Sequence, residues 1–138
     1  MKVIDNRKKK IPLITVIMSI YNEDRTLEKS IKSILNQKFN NFEFIILNDG
    51  SVDESEKIIL KYLRKSNKIL YIYSKQNKGL THMLNIGIKY SKGNYIIRHD
   101  GDDYSAKNRI FEQYSFMEKN KNINILGTNS KDFFNKNY

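Results

Sequence analysis

The stretch LITVIMSIYNED, residues 13–24, passes from a nearly continuous run of apolar, largely β-branched side chains into a polar cluster. A run of that kind, without strict alternation, reads as a short strand covered on both faces. From Leu27 the spacing changes: Leu27, Ile31, Ile34 and Leu35 form the stripe of a helix lying on a sheet. A second apolar run, FEFIIL at 42–47, stops abruptly at the turn formers Asn48, Asp49 and Gly50.

The same alternation continues to the end of the chain. Ser51 and Glu54 have the spacing of a capping box, and Ile58, Ile59, Tyr62 and Leu63 give the following helix one apolar face. ILYIY at 69–73 reads as a third strand, followed by a polar turn over 75–79 and a helix carrying Leu80, Met83, Leu84 and Ile88. Gly93 punctuates, and Tyr95 to Ile97 opens a fourth strand that runs into His99, Asp100, Gly101, Asp102 and Asp103. A last helix has Ile110, Phe111, Tyr114 and Met117 along one side, and Ile123 to Leu126 is expected as a fifth strand. Strands alternating with helices of this length predict an α/β fold: a Rossmann-like, mostly parallel sheet with helices on both faces and right-handed crossovers.

Length and composition set the bounds. The chain has 138 residues, room for one domain. Residues 12–128 carry the pattern, 1–11 read as a basic N-terminal extension and 129–138 as a tail or the start of a further part. Lys and Arg number 25 against 15 Asp and Glu, a net charge of +10 that suits nucleic acid, an anionic membrane face or a phosphorylated ligand. No RNP-like or helix-turn-helix signal supports nucleic acid, so the excess reads as a Lys-rich surface suited to resting on anionic lipid. Without Cys there is no disulfide scaffold, thiolate metal site or cysteine nucleophile. The apolar stretch from Ile11 is too short to span a membrane, and a cytoplasmic protein is expected.

In open α/β sheets ligands gather outside the carboxyl ends of the strands, and the polar clusters fall there: Tyr21–Asp24, Asn48–Asp53, Lys75–Lys78 and Asp100–Asp103. Three carboxylates within four residues repel unless a cation or solvent screens them. Mg²⁺ or Mn²⁺ suits such hard oxygen ligands, with Asp100 and Asp102 aimed from one flexible glycine turn. The plainer reading is a solvated acidic turn. Asp49 is read either as a turn former or as an acceptor for a ring N–H or ribose hydroxyl. Tyr21 offers a flat face to such a ring or packs at the rim, and Lys78 either meets a phosphate or joins the surface lysines. His82 and His99 have no partner at ligand spacing and read as structural. The turn after the first strand, SIYNED, has no glycine, which excludes a Walker loop and a GxGxxG fingerprint there.

Taken in order, VIMSIYNE, SILNQ, FEFIILNDGSVD, NKGLTHMLNIGIKYSKGNYI, the DGDD cluster, and Arg109 with Gln113 resemble the N-terminal, nucleotide-binding half of a family 2 glycosyltransferase with a GT-A fold. The resemblance covers residues 12–128. It implies that Tyr21 and Glu23 line a nucleoside pocket, that Asp49 hydrogen-bonds the base, commonly uracil, and that Lys78 approaches base or phosphates. Asp100 and Asp102 would be the DxD pair, touching ribose and a divalent metal, Mn²⁺ or Mg²⁺, on the donor diphosphate. The implied reaction is inverting transfer from a UDP-sugar to a glycan or lipid-linked acceptor hydroxyl, as in cell-surface polysaccharide synthesis. Family members run well past this length, and the catalytic base is expected outside these residues. Two departures from this reading are a non-catalytic nucleotide-binding module and a receiver-like phospho-acceptor. The latter would place its densest acids after the first strand, whereas here they follow the fourth.

Overall fold

The computed structural model describes residues 1–7 and 11–129. The elements are β1 (Lys2–Asp5), β2 (Ile14–Ile20), α1 (Asp24–Leu35), β3 (Phe42–Asp49), α2 (Ser55–Leu63), β4 (Ile69–Ser74), α3 (Leu80–Tyr90), β5 (Tyr95–Arg98) and α4 (Arg109–Lys119). They build one five-stranded sheet in the order β1-β4-β3-β2-β5. The pairs β2/β3, β3/β4 and β2/β5 are parallel, as the uninterrupted apolar runs imply.

Three expectations need correction. Residues 2–5, read as part of an extension, form an edge strand antiparallel to β4, with Lys2 opposite Tyr73 and Asp5 opposite Leu70. The strand expected at Ile123–Leu126 is irregular chain, and Ile125 is exposed. The Ser51/Glu54 capping box does not form: α2 begins at Ser55, with no side-chain cap from Glu54. Asn48 captures the Ser51 amide instead, by a 2.9 Å bond to Oδ1. The basic run Lys8–Lys10 and most of the tail, 130–138, lie outside the described residues.

The chain winds β2, β3 and β4 outward in one direction, then returns across the sheet to place β5 on the other side of β2. The winding reverses between β2 and β5, and folds of this kind bind ligands at such a reversal. Side chains segregate accordingly. Ile14, Val16, Met18 and Ile20 of β2 share a core with Phe44, Ile46 and Tyr71 of the sheet, Leu27, Ile31 and Ile34 of α1, Ile59 and Leu63 of α2, and Ile110 of α4. Ile17, Ile45, Leu47, Leu70 and Ile72 face the other way and are covered by Met83 and Ile86 of α3. α3 seats closely because of Gly87: a Cβ there would lie 2.7 Å from Ile17 Cγ2. Each fully buried Ile or Leu contributes roughly 1.5–3 kcal/mol of transfer free energy, so the two layers together fix the sheet that carries the polar ends.

At the opposite rim, a buried carboxylate ties the edge to the centre. Glu43 Oε1 accepts from Thr15 Oγ1 (2.6 Å) and from the Lys92 amide (2.6 Å), and Arg7 Nη1 donates to Oε2 (2.7 Å). Arg7 also clasps Asp5 of β1, so the edge strand is anchored by charge as well as by its ladder. Among the described residues no helix is long and apolar enough to cross a membrane.

Candidate functional site

The carboxyl ends of β2 and β3 are laced together by hydrogen bonds. Asn22 adopts φ 55°, a left-handed conformation that Asn tolerates better than most residues. In that pose its amide donates to Ser51 Oγ (3.0 Å) while its own Oδ1 accepts from the Val52 amide (2.9 Å). The first amides of α1 are satisfied from the neighbouring loop: Glu23 N–H by Ser55 Oγ (3.1 Å) and Asp24 N–H by Asp53 Oδ2 (3.0 Å). Asp53 thus serves two helices, since its Oδ1 also accepts the Ser55 amide at the start of α2 (3.0 Å). Burial works to raise the pKa of Asp53, but hydrogen bonds from Ser55 and from backbone amides outweigh it, and the group is held below the ordinary carboxylate range.

Asp49 and Lys78 are brought together through the Lys78 backbone. Asp49 is buried; Oδ1 accepts from the Lys78 amide (2.7 Å) and Oδ2 from the Gly79 amide (2.8 Å), closing the end of β3 onto the start of α3. Gly79 takes φ 87°, the left-handed region that glycine enters without steric cost. The Lys78 ammonium is exposed, 3.4 Å from Gln76 Oε1. Tyr21, 47% exposed at the end of β2, presents its ring to solvent.

Glu23 meets the acidic turn at the point where the winding reverses. Gly101 is buried against it, and a Cβ on Gly101 would overlap the Glu23 carboxylate. Glu23 Oε2 is buried and has no hydrogen-bond partner. Burial, and then the charges of Asp102 and Asp100, push the Glu23 carboxyl up to about 7. Burial and the same two aspartates also raise the pKa of Asp103. Asp102 is exposed, while Asp100 is gripped by Arg98, Nε to Oδ1 and Nη2 to Oδ2, each at 2.9 Å.

The turn is braced from behind by a buried hub. Arg109 Nη1 lies 3.0 Å from His99 Nδ1, and a guanidinium only donates, so Nδ1 accepts and the neutral ring carries its proton on Nε2. Nε2 then donates to Ser30 Oγ (3.1 Å), and Ser30 donates onward to the Asp100 carbonyl (3.0 Å). Burial, followed by the charge of Arg109, lowers the His99 pKa to about 4, which keeps the ring neutral. Gln37, from the SILNQ stretch, holds α4 in place: its Oε1 accepts the Ile110 amide (3.1 Å) and its Nε2 donates to the Ala106 carbonyl (2.7 Å).

All six candidate residues therefore lie at the carboxyl rim: Asp49 is joined to the Lys78 backbone, Glu23 meets the turn that carries Asp100 and Asp102, and Tyr21 stands exposed at the end of β2. The sequence reading missed Arg98 and the Ser30–His99–Arg109 hub. For Arg98 a signal existed, since positions 98 and 100 fall on one side of an extended strand. Among the described residues no group of three His, Asp or Glu converges on one point. The donor set fits a cation bound with its ligand: Mg²⁺-type ions take one or two protein carboxylates and complete their shell with water and phosphate oxygens, and the unpartnered Glu23 Oε2 adds an acceptor beside them.

Comparison with known proteins agrees with this architecture. The profile of glycosyl transferase family 2 matches residues 15–137. EpsE of Bacillus subtilis (strain 168) is 42% identical over 118 residues, covering 85% of this chain and 42% of that protein. An uncharacterized glycosyltransferase of Methanocaldococcus jannaschii, MJ1057, is 36% identical over 117 residues, covering 83% of this chain and 40% of its own. The chain thus spans under half the length of these relatives. Staphylococcus aureus TarS 1-349, solved in complex with UDP-GlcNAc, superposes with a TM-score of 0.73 at 25% identity, covering 78% of this chain and 32% of TarS. The mannosyltransferase PcManGT of Pyrobaculum calidifontis shares the fold at 19% identity, with a TM-score of 0.72 over 82% of this chain and 34% of its own.

Proposed function

The chain belongs to glycosyl transferase family 2, and on that premise we propose that it is the donor-binding part of a glycosyltransferase, taking a nucleoside-diphosphate sugar, with UDP as the nucleotide, for inverting transfer to an acceptor hydroxyl. The observation that carries this reading is the meeting of Glu23 with the Asp100–Asp103 turn at the reversal point of the sheet. The complex of TarS with UDP-GlcNAc supports UDP as the nucleotide.

Each residue has a task that its setting allows. Tyr21 stacks on the base from its exposed position at the end of β2. Asp49 keeps acceptor capacity beyond its two amide bonds, because a carboxylate has about four lone-pair sites, and reads the base N–H. Lys78 contributes an exposed cation beside it. Asp102, with Asp100, would hold Mn²⁺ or Mg²⁺. That ion, when bound, neutralises the charge that grows on the leaving nucleoside diphosphate. The base that deprotonates the acceptor is assigned to none of the described residues. The acceptor, a glycan or lipid-linked hydroxyl, belongs to the same proposal, as does contact of the Lys-rich surface with an anionic membrane face.

Calorimetric titration with UDP, with and without Mn²⁺, tests the assignment. Binding is expected only with the metal and is expected to vanish in Asp102→Ala. Metal-independent binding, or an Asp102→Ala protein equal to the parent, would refute it.

A further inference from the structure

Among the described residues Arg98 is the one cation that directly grips a carboxylate of the acidic turn. Its backbone is fixed: Arg98 pairs with Ile17 across the β2/β5 ladder, its carbonyl accepts from Arg109 Nη2 (3.1 Å), and the next amide, of His99, donates to the Ile17 carbonyl (3.0 Å). The side chain is not fixed in this way. Both partners of the Arg98–Asp100 pair are solvent-accessible, with side-chain exposures of 55% and 41%. Exposed ion pairs are weak because water screens them and holding two long side chains still costs entropy. A divalent cation arriving at Asp100 brings twice the charge and repels the guanidinium, so it competes with Arg98 for the carboxylate.

The released guanidinium then stands beside the place where a diphosphate would arrive. A planar fork of N–H donors matches phosphate oxygens as well as it matches a carboxylate. α3 covers β2 and β3 but leaves Ile96, on the same side of β5 as Arg98, 47% exposed, so the guanidinium has open space in which to turn. We propose that Arg98 occupies Asp100 in the donor-free protein and, when the metal–donor complex enters, transfers to the diphosphate as a second anion-binding group. This rests on the donor-site reading given above and adds to it a residue and an exchange of partners.

Removing Arg98 should move two affinities in opposite directions. Arg98→Ala should bind Mn²⁺ alone about threefold more tightly, because a weak competitor is gone. With saturating Mn²⁺ it should bind UDP about tenfold more weakly, as expected for loss of a charge-assisted hydrogen bond, while uridine, without phosphates, binds as in the parent. Electron paramagnetic resonance of free Mn²⁺ reads the first quantity and calorimetry the others. If Arg98→Ala matches the parent in either Mn²⁺ or UDP affinity, the exchange is wrong while the donor site stands. If the parent itself binds no UDP with Mn²⁺, both fall.

Discussion

Glu23 occupies the space that a side chain at position 101 would need: a Cβ on Gly101 would collide with the Glu23 carboxylate. The acid is held there half-buried, and its pKa is about 7 instead of the usual 4.5. A carboxyl whose pKa is raised on folding holds its proton in the native state at a pH where the unfolded chain has released it. Its contribution to stability is therefore intact below about 4.5 and is lost as pH rises through about 7. Glu23→Gln should remove that loss. Thermal melts of parent and variant from about pH 5 to about pH 8 should diverge as pH rises, the variant becoming the more stable; parallel curves would contradict the assignment.

Asp49 should prove structural as well as ligand-facing. In Asp49→Asn one of the two bonds to the Lys78 and Gly79 amides loses its acceptor, because an amide nitrogen then faces a backbone N–H. Charge-assisted bonds of this kind are worth about 1.5–3 kcal/mol, and urea denaturation should register a loss of that order. A neutral substitution would show that the loop before α3 is held by other means.

The Arg7–Glu43 pair lies at the other rim, with side chains 6% and 4% exposed. Arg7→Ala leaves a buried carboxylate without its countercharge, and breaking such a pair costs about 3–5 kcal/mol. Adding Glu43→Gln to that variant should recover part of the loss, because the remaining group is then uncharged. If the double variant is no more stable than Arg7→Ala, the charge is not the cause.

Gly93 tests the packing behind β2. A Cβ there would lie 2.5 Å from both the Ile14 carbonyl carbon and the Thr15 nitrogen, and backbone cannot step aside as a side-chain tip does. Overpacking of this kind costs about 1–3 kcal/mol, so Gly93→Ala should lower the midpoint of urea unfolding accordingly. The Gly93 amide also donates to Thr15 Oγ1 (2.9 Å), a bond that the shift would strain.

The elements that could be read from sequence were those whose burial leaves a period. β2, β3 and β4 are apolar on both faces and α1 and α2 bury the stripes expected of them, whereas in α3 and α4 the expected Leu80, Ile88 and Phe111 are exposed and Met83, Ile86 and Ile110 make the core contact. β1 left no such trace: KVID is short, mostly exposed, and held by a partner almost seventy positions away. The Ile123–Leu126 segment shows the converse, an apolar run with no ladder to join among the described residues. At the site, the strand-end rule located Tyr21, Glu23, Asp49 and the acidic turn because polar residues interrupt buried runs there. The His99 hub was out of reach, since Ser30 lies on α1, far from His99 in the chain, and only the fold brings it to the ring that Ser105 and Arg109 reach from the stretch just after it.

The placement of β1 also bears on how the molecule is made. Lys2 pairs with Tyr73, so β1 has no partner until β4, on the far side of β2 and β3 in the chain, has been made. During that interval β2 and β3 can already associate through α1, while β1 waits outside the nascent sheet. β1 thus finds its seat later than the strands that follow it, and Arg7, reaching Glu43, is the clasp that fastens it on arrival.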